Sequence, residues 1–564
     1  MVKSVNRNLI INIIFIALIV LASISKIFVG IDHDETYVVV TAARLLQGEH
    51  LFKEIWDIYQ TCILPSAILM KLYKAIFGNL DGVIIFLRIM STIVQFGPTV
   101  IFYKVFKNKY KNAIFGAMIL ALISPRYIQN FDYGFLGFAG VLLCILLIEK
   151  ITLSLTSLDK MKIIMLSILS GVALSIGVLS YPTFIILTIP IGIYMVLQGM
   201  DDRKLRVALA TLIITCLFCA LLFLLYVLKN VTLDEMLKNL LQNVIADESH
   251  SSGSIIASTI KSIMNIRKDQ IVMGALIAIS SIVFCFLLNK TNLRINLFCS
   301  TIFVSSLAFI WPNITMIRPS GPFGMNIRWL LIAISSMPIY YKYKNHKDIV
   351  WLFGLTGWLM LFAVLMATNL GIAESSSFAL IIVLGAILLL SNDDKLNIEI
   401  KKVVMYIFIF SLILTKGFTV RINGTSPANI LEPRERIDFG VLQGIYDYPG
   451  QVKKFNEIKI ELDEKTTDED IVFIMSNEPV YNLFGNFKFT SLSPIPTVEY
   501  SERWVRYYRD NNYSFPTKIF IDKSYKSDWD DLKANNLLIK YFINYMKENS
   551  FNESEYLYSF EIIK

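Results

Sequence analysis

Long apolar runs recur along the chain from Leu9 to Phe418, and they limit what it can fold into. Each run extends over about 17–25 residues, the length that a helix needs to cross a hydrocarbon layer of about 30 Å. The composition agrees, because 55% of the 564 residues are hydrophobic and only 17% are charged. A soluble protein of this size would carry far more charge. We therefore predict an α-helical membrane protein that crosses the bilayer many times.

The hydropathy pattern predicts thirteen spans, with the N-terminus in the cytoplasm and the C-terminus outside. Every second loop is rich in lysine and arginine, as in 104–111 and 342–347, which is the distribution expected of cytoplasmic loops. The net charge of +8 therefore reports topology, and no nucleic-acid partner is predicted. The spans are 9–29, 82–103, 112–124, 134–149, 163–180, 182–198, 206–228, 271–289, 294–311, 326–341, 349–369, 375–391 and 403–419.

The first outer loop, 30–81, contains two segments that are apolar on one side only. The segment 62–78 is nearly long enough to span, but it carries Lys71 and Lys74, and a crossing here would place the basic loops outside. We predict that it lies along the outer surface as an amphipathic helix. The segment 35–47 has the same character, with an apolar face able to contact lipid or protein.

The last part of the chain changes character and is predicted to be a separate domain. Residues 421–564 are polar and contain no spanning run, so the spans form one domain, 1–420, and the remainder a second. Three short apolar runs, 470–476, 517–522 and 556–563, are typical of buried strands, and 530–549 of an amphipathic helix. This pattern predicts a small α/β domain outside the membrane.

The outer loops concentrate carboxylates and arginines at one membrane face. An arginine holds phosphate oxygens in a bidentate fork, and a carboxylate can act as a general base. Such a face suits a reaction on a lipid phosphate. The candidates are Asp32, His33, Asp34, Glu35 and Asp57 in the first loop, Asp132 and Tyr133 in the second, Asp247, Glu248 and His250 in loop 229–270, and Arg318 and Arg328 in 311–329.

The acids at the start of the first outer loop also have an ordinary structural interpretation. Asp32 and Glu35 have the D-x-x-E spacing of a capping box at a helix start, which leaves Asp34 unexplained. A carboxylate in the first turn is kept ionised by the helix dipole. Arg88, inside an apolar run, is a functional candidate by position, but it can also pair with an acid such as Asp57.

A series of motifs runs from the first span into the second. Asp34-Glu35 begin an outer amphipathic helix, "ARLLQGEHLFKEIWD" (43–57) follows, the second amphipathic segment ends in "FG", and Arg88 lies in "FLRIMS". This order resembles the GT-C superfamily of membrane glycosyltransferases. Its bacterial members similar to family 39 include protein O-mannosyltransferases and the aminoarabinose transferases of lipid A. The matching part covers roughly residues 9–135, which is about a quarter of the chain.

The resemblance implies a GT-C fold and an inverting transferase that uses a polyprenyl-phosphate sugar. The many Ile, Lys and Asn residues and the cysteine-free outer domain indicate a bacterial plasma membrane. By motif position Asp34 is the catalytic base, with Glu35 beside it as a second catalytic residue, while Asp132 and Arg88 match an acidic position and an arginine of the family. The residues expected to bind substrate are Arg88, Asp132, Tyr133, Asp57, Arg318 and Arg328. The acceptor would be a glycan, a lipid or a protein. Positive charge for the leaving lipid phosphate would come from arginines, a lysine or a divalent metal, Mg²⁺ or Mn²⁺. The chain departs from many relatives after Asp57, where "DIYQT" replaces their His-Pro.

Three other functions remain open. A transporter or flippase for lipid-linked saccharides would carry acids in mid-span and matching halves, whereas these spans are nearly free of acids. A polymerase or ligase of the O-antigen type would centre on a large arginine-rich outer loop late in the chain, and 311–325 is modest. A pseudo-enzyme that binds cell-wall polymer is the third. The clustering of acids on one face favours the enzyme.

Overall fold

The protein is described from a computed structural model of the chain. The structure describes residues 7–563 apart from several short internal ranges. These ranges are 124–129, 200–201, 245–259, 262, 265, 267, 289–291, 316–326, 344–347, 368–370, 391–397, 423–425, 430–433, 495–501 and 512–513. Asp247, Glu248, His250 and Arg318, all predicted site residues or candidates, lie outside the described residues.

The first three quarters of the chain are helical. In chain order the helices are α1 (Arg7–Ile27), α2 (His33–Leu46), α3 (Leu64–Phe77), α4 (Val83–Phe106), α5 (Ala113–Leu122), α6 (Tyr133–Leu153), α7 (Lys160–Ser180), α8 (Thr188–Gly199), α9 (Arg203–Leu228), α10 (Leu233–Asn239), α11 (Lys268–Leu287), α12 (Leu293–Thr315), α13 (Ile327–Lys342), α14 (Ile349–Ala367), α15 (Gly371–Ser375), α16 (Leu380–Leu389) and α17 (Ile398–Phe418).

A helix stands at each of the thirteen predicted spans. Within the described part of the chain, eight helices are long and apolar enough to cross a membrane: α1, α4, α6, α7, α8 with the turn before it, α9, α11 and α14. The predicted fold class, a polytopic helical membrane protein with a small C-terminal sheet, is confirmed.

The helices pack through small residues at their closest approach. A Cβ built on Gly140 of α6 would lie 2.5 Å from the carbonyl oxygen of Ala173 in α7, and 2.9 Å from the Cα of Gly177. Only glycine permits that distance, and such contacts replace the hydrophobic driving force that is missing between helices in lipid. α6 is the most enclosed of the eight long helices, whereas α9 is mostly exposed.

The two amphipathic helices of the first outer loop differ in their surroundings. α2 is buried over most of its length, so its apolar face packs on protein. α3 leaves Ile68, Leu72 and Ile76 exposed, as expected of a helix that lies against lipid. Its lysines, Lys71 and Lys74, are exposed as well.

The C-terminal region, residues 419–563, contains a five-stranded sheet in the order β6-β5-β7-β9-β8. The strands are β1 (Thr419–Ile422), β2 (Ser426–Asn429), β3 (Glu435–Arg436), β4 (Tyr446–Asp447), β5 (Ile471–Met475), β6 (Lys488–Phe489), β7 (Lys518–Asp522), β8 (Asn552–Glu553) and β9 (Leu557–Glu561). β5 pairs in parallel with β6 and β7, and β9 is antiparallel to β7. The three predicted strands correspond to β5, β7 and β9.

Within the described residues of this region, four α-helices accompany the sheet, and one sequence prediction is wrong here. They are α18 (Pro449–Lys465), α19 (Glu502–Asp510), α20 (Trp529–Asn535) and α21 (Leu537–Ile543). The single helix predicted over 530–549 is therefore two short helices. Asn536 separates them, because its side chain accepts a hydrogen bond from the amide of Ile539 and caps the second helix.

The C-terminal region packs on one end of the helical bundle. Tyr446 pairs with the linker after α1: its amide donates to Phe28 (2.8 Å) and its carbonyl accepts from Gly30 (2.9 Å). The amide of Gly82, just before α4, donates to Gly440 at 2.9 Å. The C-terminal region thus lies at the end of the bundle where α1 ends and α4 begins, which also carries the first loop.

Candidate active site

The first turn of α2 is organised by Asp32. The side chain of Asp32 accepts a hydrogen bond from the amide of Asp34 at 3.0 Å, which makes it the N-cap of the helix. The predicted capping box is therefore half right. Its second residue, Glu35, does not reach back to the N-cap, because its carboxylate is taken by another partner.

That partner is Arg88 of α4. Its guanidinium forms two hydrogen bonds with the Glu35 carboxylate, at 2.6 and 2.5 Å, and both side chains are buried. Arg88 also donates to the carbonyls of Ile27 (2.9 Å) and Gly30 (2.6 Å). The pair joins α4, the end of α1 and α2, so the partner of Arg88 is Glu35 and not Asp57. A role of either residue in contact with substrate stays a prediction.

Asp57 has its own set of donors. It is buried and accepts hydrogen bonds from the hydroxyl of Tyr37, the amide of Tyr59 (2.9 Å) and the hydroxyl of Ser493 (2.6 Å). Ser493 follows β6, so this carboxylate links the first outer loop to the C-terminal region. Three donors on one buried carboxylate are the arrangement of a structural anchor.

The second outer loop meets the first through aromatic rings. Asp132 caps α6 by accepting from the amide of Phe135 at 2.5 Å. The ring of Tyr133 stacks on that of Tyr59, with centroids 3.9 Å apart and planes 4° apart. Burial, together with the charges of Asp132 and Asp57, holds the pKa of the Cys62 thiol well above its usual value. The charges of the two predicted acids therefore both act on one buried cysteine.

Arg328 is carried by a later helix of the bundle, α13. It is fully buried at the start of α13, beside Trp329, which packs edge-on against Phe408 of α17. The structure therefore brings together Asp34, Glu35, Arg88, Asp57, Asp132 and Tyr133 around the first outer loop, while Arg328 lies at the start of α13.

Asp34 lies where the bundle meets the C-terminal region. It is half-buried, in the first turn of α2, and its neighbour His33 approaches Glu478 of the C-terminal region. His33 Nδ1 and Glu478 Oε2 are 3.3 Å apart, with side chains 21% and 10% exposed. Burial lowers the pKa of His33, but the carboxylates of Glu478, Asp32 and Asp34 outweigh it, and the net pKa is raised. His33 was named from the sequence among the residues of the first loop, but Glu478 was not.

A further carboxylate completes this junction. Asp447 in β4 is fully buried, and burial raises its pKa to about 6, although the amide of Tyr448 and the charges of Arg434 and Arg88 oppose the shift. The guanidinium of Arg434 lies over the ring of Tyr448, 5.3 Å from its centroid. The charged groups that meet here are the acids Asp32, Asp34, Glu35, Asp447 and Glu478 and the bases His33, Arg88 and Arg434. We refer to them as the outer junction.

A resident metal has few ligands available in this arrangement. Within the ranges that the structure describes, no group of three or more histidine, cysteine, aspartate or glutamate side chains is placed to hold an ion. The carboxylates of Glu35 and Asp57 are occupied by Arg88 and by three hydrogen-bond donors. A divalent metal that accompanies the substrate stays a prediction.

Comparisons with known proteins add little to this geometry. No family model matches the chain, and no curated protein matches it. Among solved structures, the chain is similar to the crystal structure of ArnT from Cupriavidus metallidurans bound to undecaprenyl phosphate. The two share 11% identity, the match covers 97% of each chain, and the TM-score is 0.42. At that score we draw no conclusion about this protein from the likeness.

Proposed function

We propose that this protein is an inverting glycosyltransferase with Asp34 as its general base. It would move a sugar from a polyprenyl-phosphate donor to an acceptor hydroxyl, at the membrane face that carries the C-terminal region. The observation that carries the proposal is the position of Asp34: half-buried, in the first turn of α2, between the helical bundle and the C-terminal region. The macrodipole of α2 stabilises the ionised carboxylate there, which is the form that accepts a proton.

A lipid-linked donor suits the helix next to this site. α3 exposes the apolar side chains of Ile68, Leu72 and Ile76 together with Lys71 and Lys74. In the interface plane, such a helix keeps an isoprenoid tail in hydrocarbon while its lysines attract the phosphate. The anomeric carbon would then lie near the end of the bundle, where Asp34 is found.

The reaction would proceed by displacement at the anomeric carbon. The Asp34 carboxylate would take the proton of the acceptor hydroxyl as its oxygen forms the new glycosidic bond, and the lipid phosphate would leave with the bonding electrons. Positive charge must stabilise that leaving group. Lys71, Lys74, Arg318 and Arg328 are the candidates, and a divalent ion bound with the substrate is the alternative.

The other predicted acids have structural surroundings. We propose that the Glu35–Arg88 pair fixes the start of α2 against α4, that Asp57 anchors the C-terminal region, and that Asp132 caps α6. Arg88 would then support the catalytic helix without touching the donor. We further propose that this end of the bundle is the extracytoplasmic one, since the basic loops lie at the other.

The test is a transfer assay in membranes that contain the full chain. A panel of radiolabelled polyprenyl-phosphate sugars is offered to the wild type, to Asp34→Asn and to Asp32→Asn. Loss of the base should lower transfer by about 100-fold or more. Asp32→Asn is the matched control two residues away, because asparagine caps a helix as well as aspartate does. Unchanged transfer by Asp34→Asn would exclude Asp34 as the base.

A further inference from the structure

The carboxyl ends of the parallel strands point towards the first outer loop. Glu478 follows β5 by three residues, Ser493 follows β6, and Asp522 ends β7. Two of these contact the loop directly, since Glu478 approaches His33 and Ser493 donates to Asp57. In open α/β sheets the crevice beyond this edge is where ligands bind. Here the start of α2 lies beside it.

Glu478 is held firmly from its own side. Its amide donates to the hydroxyl oxygen of Ser476 at 2.9 Å, and that hydroxyl donates to Asp522 at 2.9 Å. Asp522 is fully buried and is paired with Lys454 at 3.2 Å. The backbone of Glu478 is thus tied to the core of the sheet.

His33 is held from the other side by the helix that it begins. It is the first residue of α2, between the N-cap Asp32 and Asp34, and its Nδ1 is 3.3 Å from Glu478. A fixed His33 fixes the first turn, because three consecutive residues of a helix start share one backbone geometry. When it is protonated, His33 also places a positive charge next to Asp34.

We propose that Glu478 is a positioning residue for the transfer reaction, which acts through His33 to fix the Asp34 carboxylate. The C-terminal region is then part of the active site of the membrane-embedded domain. This inference rests on the proposed function. Glu478 itself touches no substrate in this scheme, and its removal would leave the base present but poorly placed.

The pH dependence follows from the groups that surround His33. These are the carboxylates of Glu478, Asp32 and Asp34, and Glu478 in turn acts on Asp447, which also feels the charges of Arg434 and Arg88. His33 has a raised pKa, so its pairing with Glu478 is fully present at low pH and is lost as the pH rises through that value. The alkaline limb of the rate profile should therefore report His33.

The experiment measures kcat, KM and their pH profiles for Glu478→Gln, Glu478→Asp and His33→Gln in the full-length protein. We expect Glu478→Gln to lower kcat by about 10- to 100-fold, because a small misplacement of the base is costly, with the donor KM nearly unchanged. Its alkaline limb should move to lower pH. Glu478→Asp should recover part of the kcat that Glu478→Gln loses. In His33→Gln the alkaline limb assigned to His33 should be absent.

The control is Asp470→Asn at the opposite edge of the same sheet. Asp470 pairs with Lys518 at 3.0 Å, so its loss tests the general stability of the C-terminal region. The inference would be overturned if Glu478→Gln kept the kcat and pH profile of the wild type. It would also be overturned if Glu478→Gln and Asp470→Asn changed them equally.

A second readout separates this inference from the proposed function. Hydrogen exchange at residues 33–36 should rise about 10-fold in Glu478→Gln and stay unchanged in Asp470→Asn. If the wild type transfers no sugar, the proposed function fails, while faster exchange would still show that Glu478 fixes the first turn. Unchanged exchange would overturn the positioning role.

Discussion

Two clusters of acids and bases lie at opposite ends of α4, and they differ in how their charges are neutralised. Beyond the C-terminal end of α4, Asp348 accepts hydrogen bonds from Lys109 (2.7 Å), Tyr110 (3.1 Å), Tyr343 (2.7 Å) and the amide of Val350 (3.1 Å). One carboxylate therefore collects four donors, two from the loop after α4 and two from residues on either side of Asp348 in the chain. We refer to this set as the inner cluster.

The outer junction, near the N-terminal end of α4, has a different balance. It has five carboxylates and three basic groups. The basic groups are His33 at the start of α2, Arg88 in α4 and Arg434 in the C-terminal region. Asp34 and His33 remain partly exposed, whereas Asp348 is buried. The same residue types thus form a saturated anchor at one end and an accessible, acid-rich junction at the other. The second arrangement suits chemistry on a bound substrate.

The two ends also respond to pH in opposite directions. Burial raises the pKa of Asp348, but Lys109, Tyr343 and the amide of Val350 outweigh it, and the net pKa is lowered. The stability that Asp348 contributes is present above its unfolded pKa and lost as the pH falls. His33 and Asp447 have raised pKa values, so their contributions are lost as the pH rises.

The largest expected effect comes from exchanging the two carboxylates for amides. Asp34→Asn should lower transfer about 100-fold or more and change the free energy of unfolding by less than about 1 kcal/mol. Asp348→Asn should leave kcat unchanged and lower stability by about 2 kcal/mol, since it places an amide opposite Lys109. Transfer assays and thermal unfolding in detergent measure both. If Asp348→Asn lost activity while remaining stable, the inner cluster would not be purely structural, and the contrast with the outer junction would be wrong.

The next effect concerns the pair that supports the outer junction. Arg88→Leu should lower the free energy of unfolding by about 3–5 kcal/mol, because it leaves the Glu35 carboxylate buried without its guanidinium. The double variant Arg88→Leu with Glu35→Leu is the matched control and should recover much of that loss. Thermal unfolding of the wild type, Arg88→Leu and the double variant measures both the loss and its recovery. Full stability of Arg88→Leu would show that water reaches Glu35, contrary to its burial.

Sequence reasoning found the elements of this fold but not their contacts. The spans and the strands β5, β7 and β9 follow from local hydrophobic runs, which a window of residues captures. The contact between Ser493 and Asp57 joins residues 436 positions apart, and neither lies in a periodic segment. Arg44, fully buried and bonded to Tyr507 at 3.2 Å, was only one polar residue of an outer loop.

The same limit explains the candidate site. Asp34 and Arg88 could be named from the motif order, because they lie close to the first two spans. Glu478 could not, although one signal was available: it lies two residues beyond a predicted strand, and the ends of parallel strands collect polar residues that face a ligand. The parallel pairing of β5 and β7 was needed to use that signal.

A smaller effect tests the opposite pH responses. Asp447 has a pKa of about 6 against an ordinary value of 3.8, so the outer junction should lose stability as the pH rises from about 4 to 6. Asp447→Asn cannot ionise and should remove most of that change, on the order of 2 kcal/mol. Hydrogen exchange at 446–448 reports it, with 109–110 and 348–350 as the reference. Equal pH dependence at both ends would contradict the assignment.

The smallest effect separates docking from the stability of the C-terminal region. Ser493→Ala removes one of three donors to Asp57 and should cost about 1 kcal/mol, seen as faster hydrogen exchange at 56–60. Ser524→Ala is its match, because Ser524 donates to Asp522 at 2.8 Å inside the C-terminal region. Only Ser493→Ala should affect the outer loop. If both variants act alike, Asp57 does not anchor the C-terminal region, and the outer junction is held mainly by Glu478 and the Tyr446 pairing.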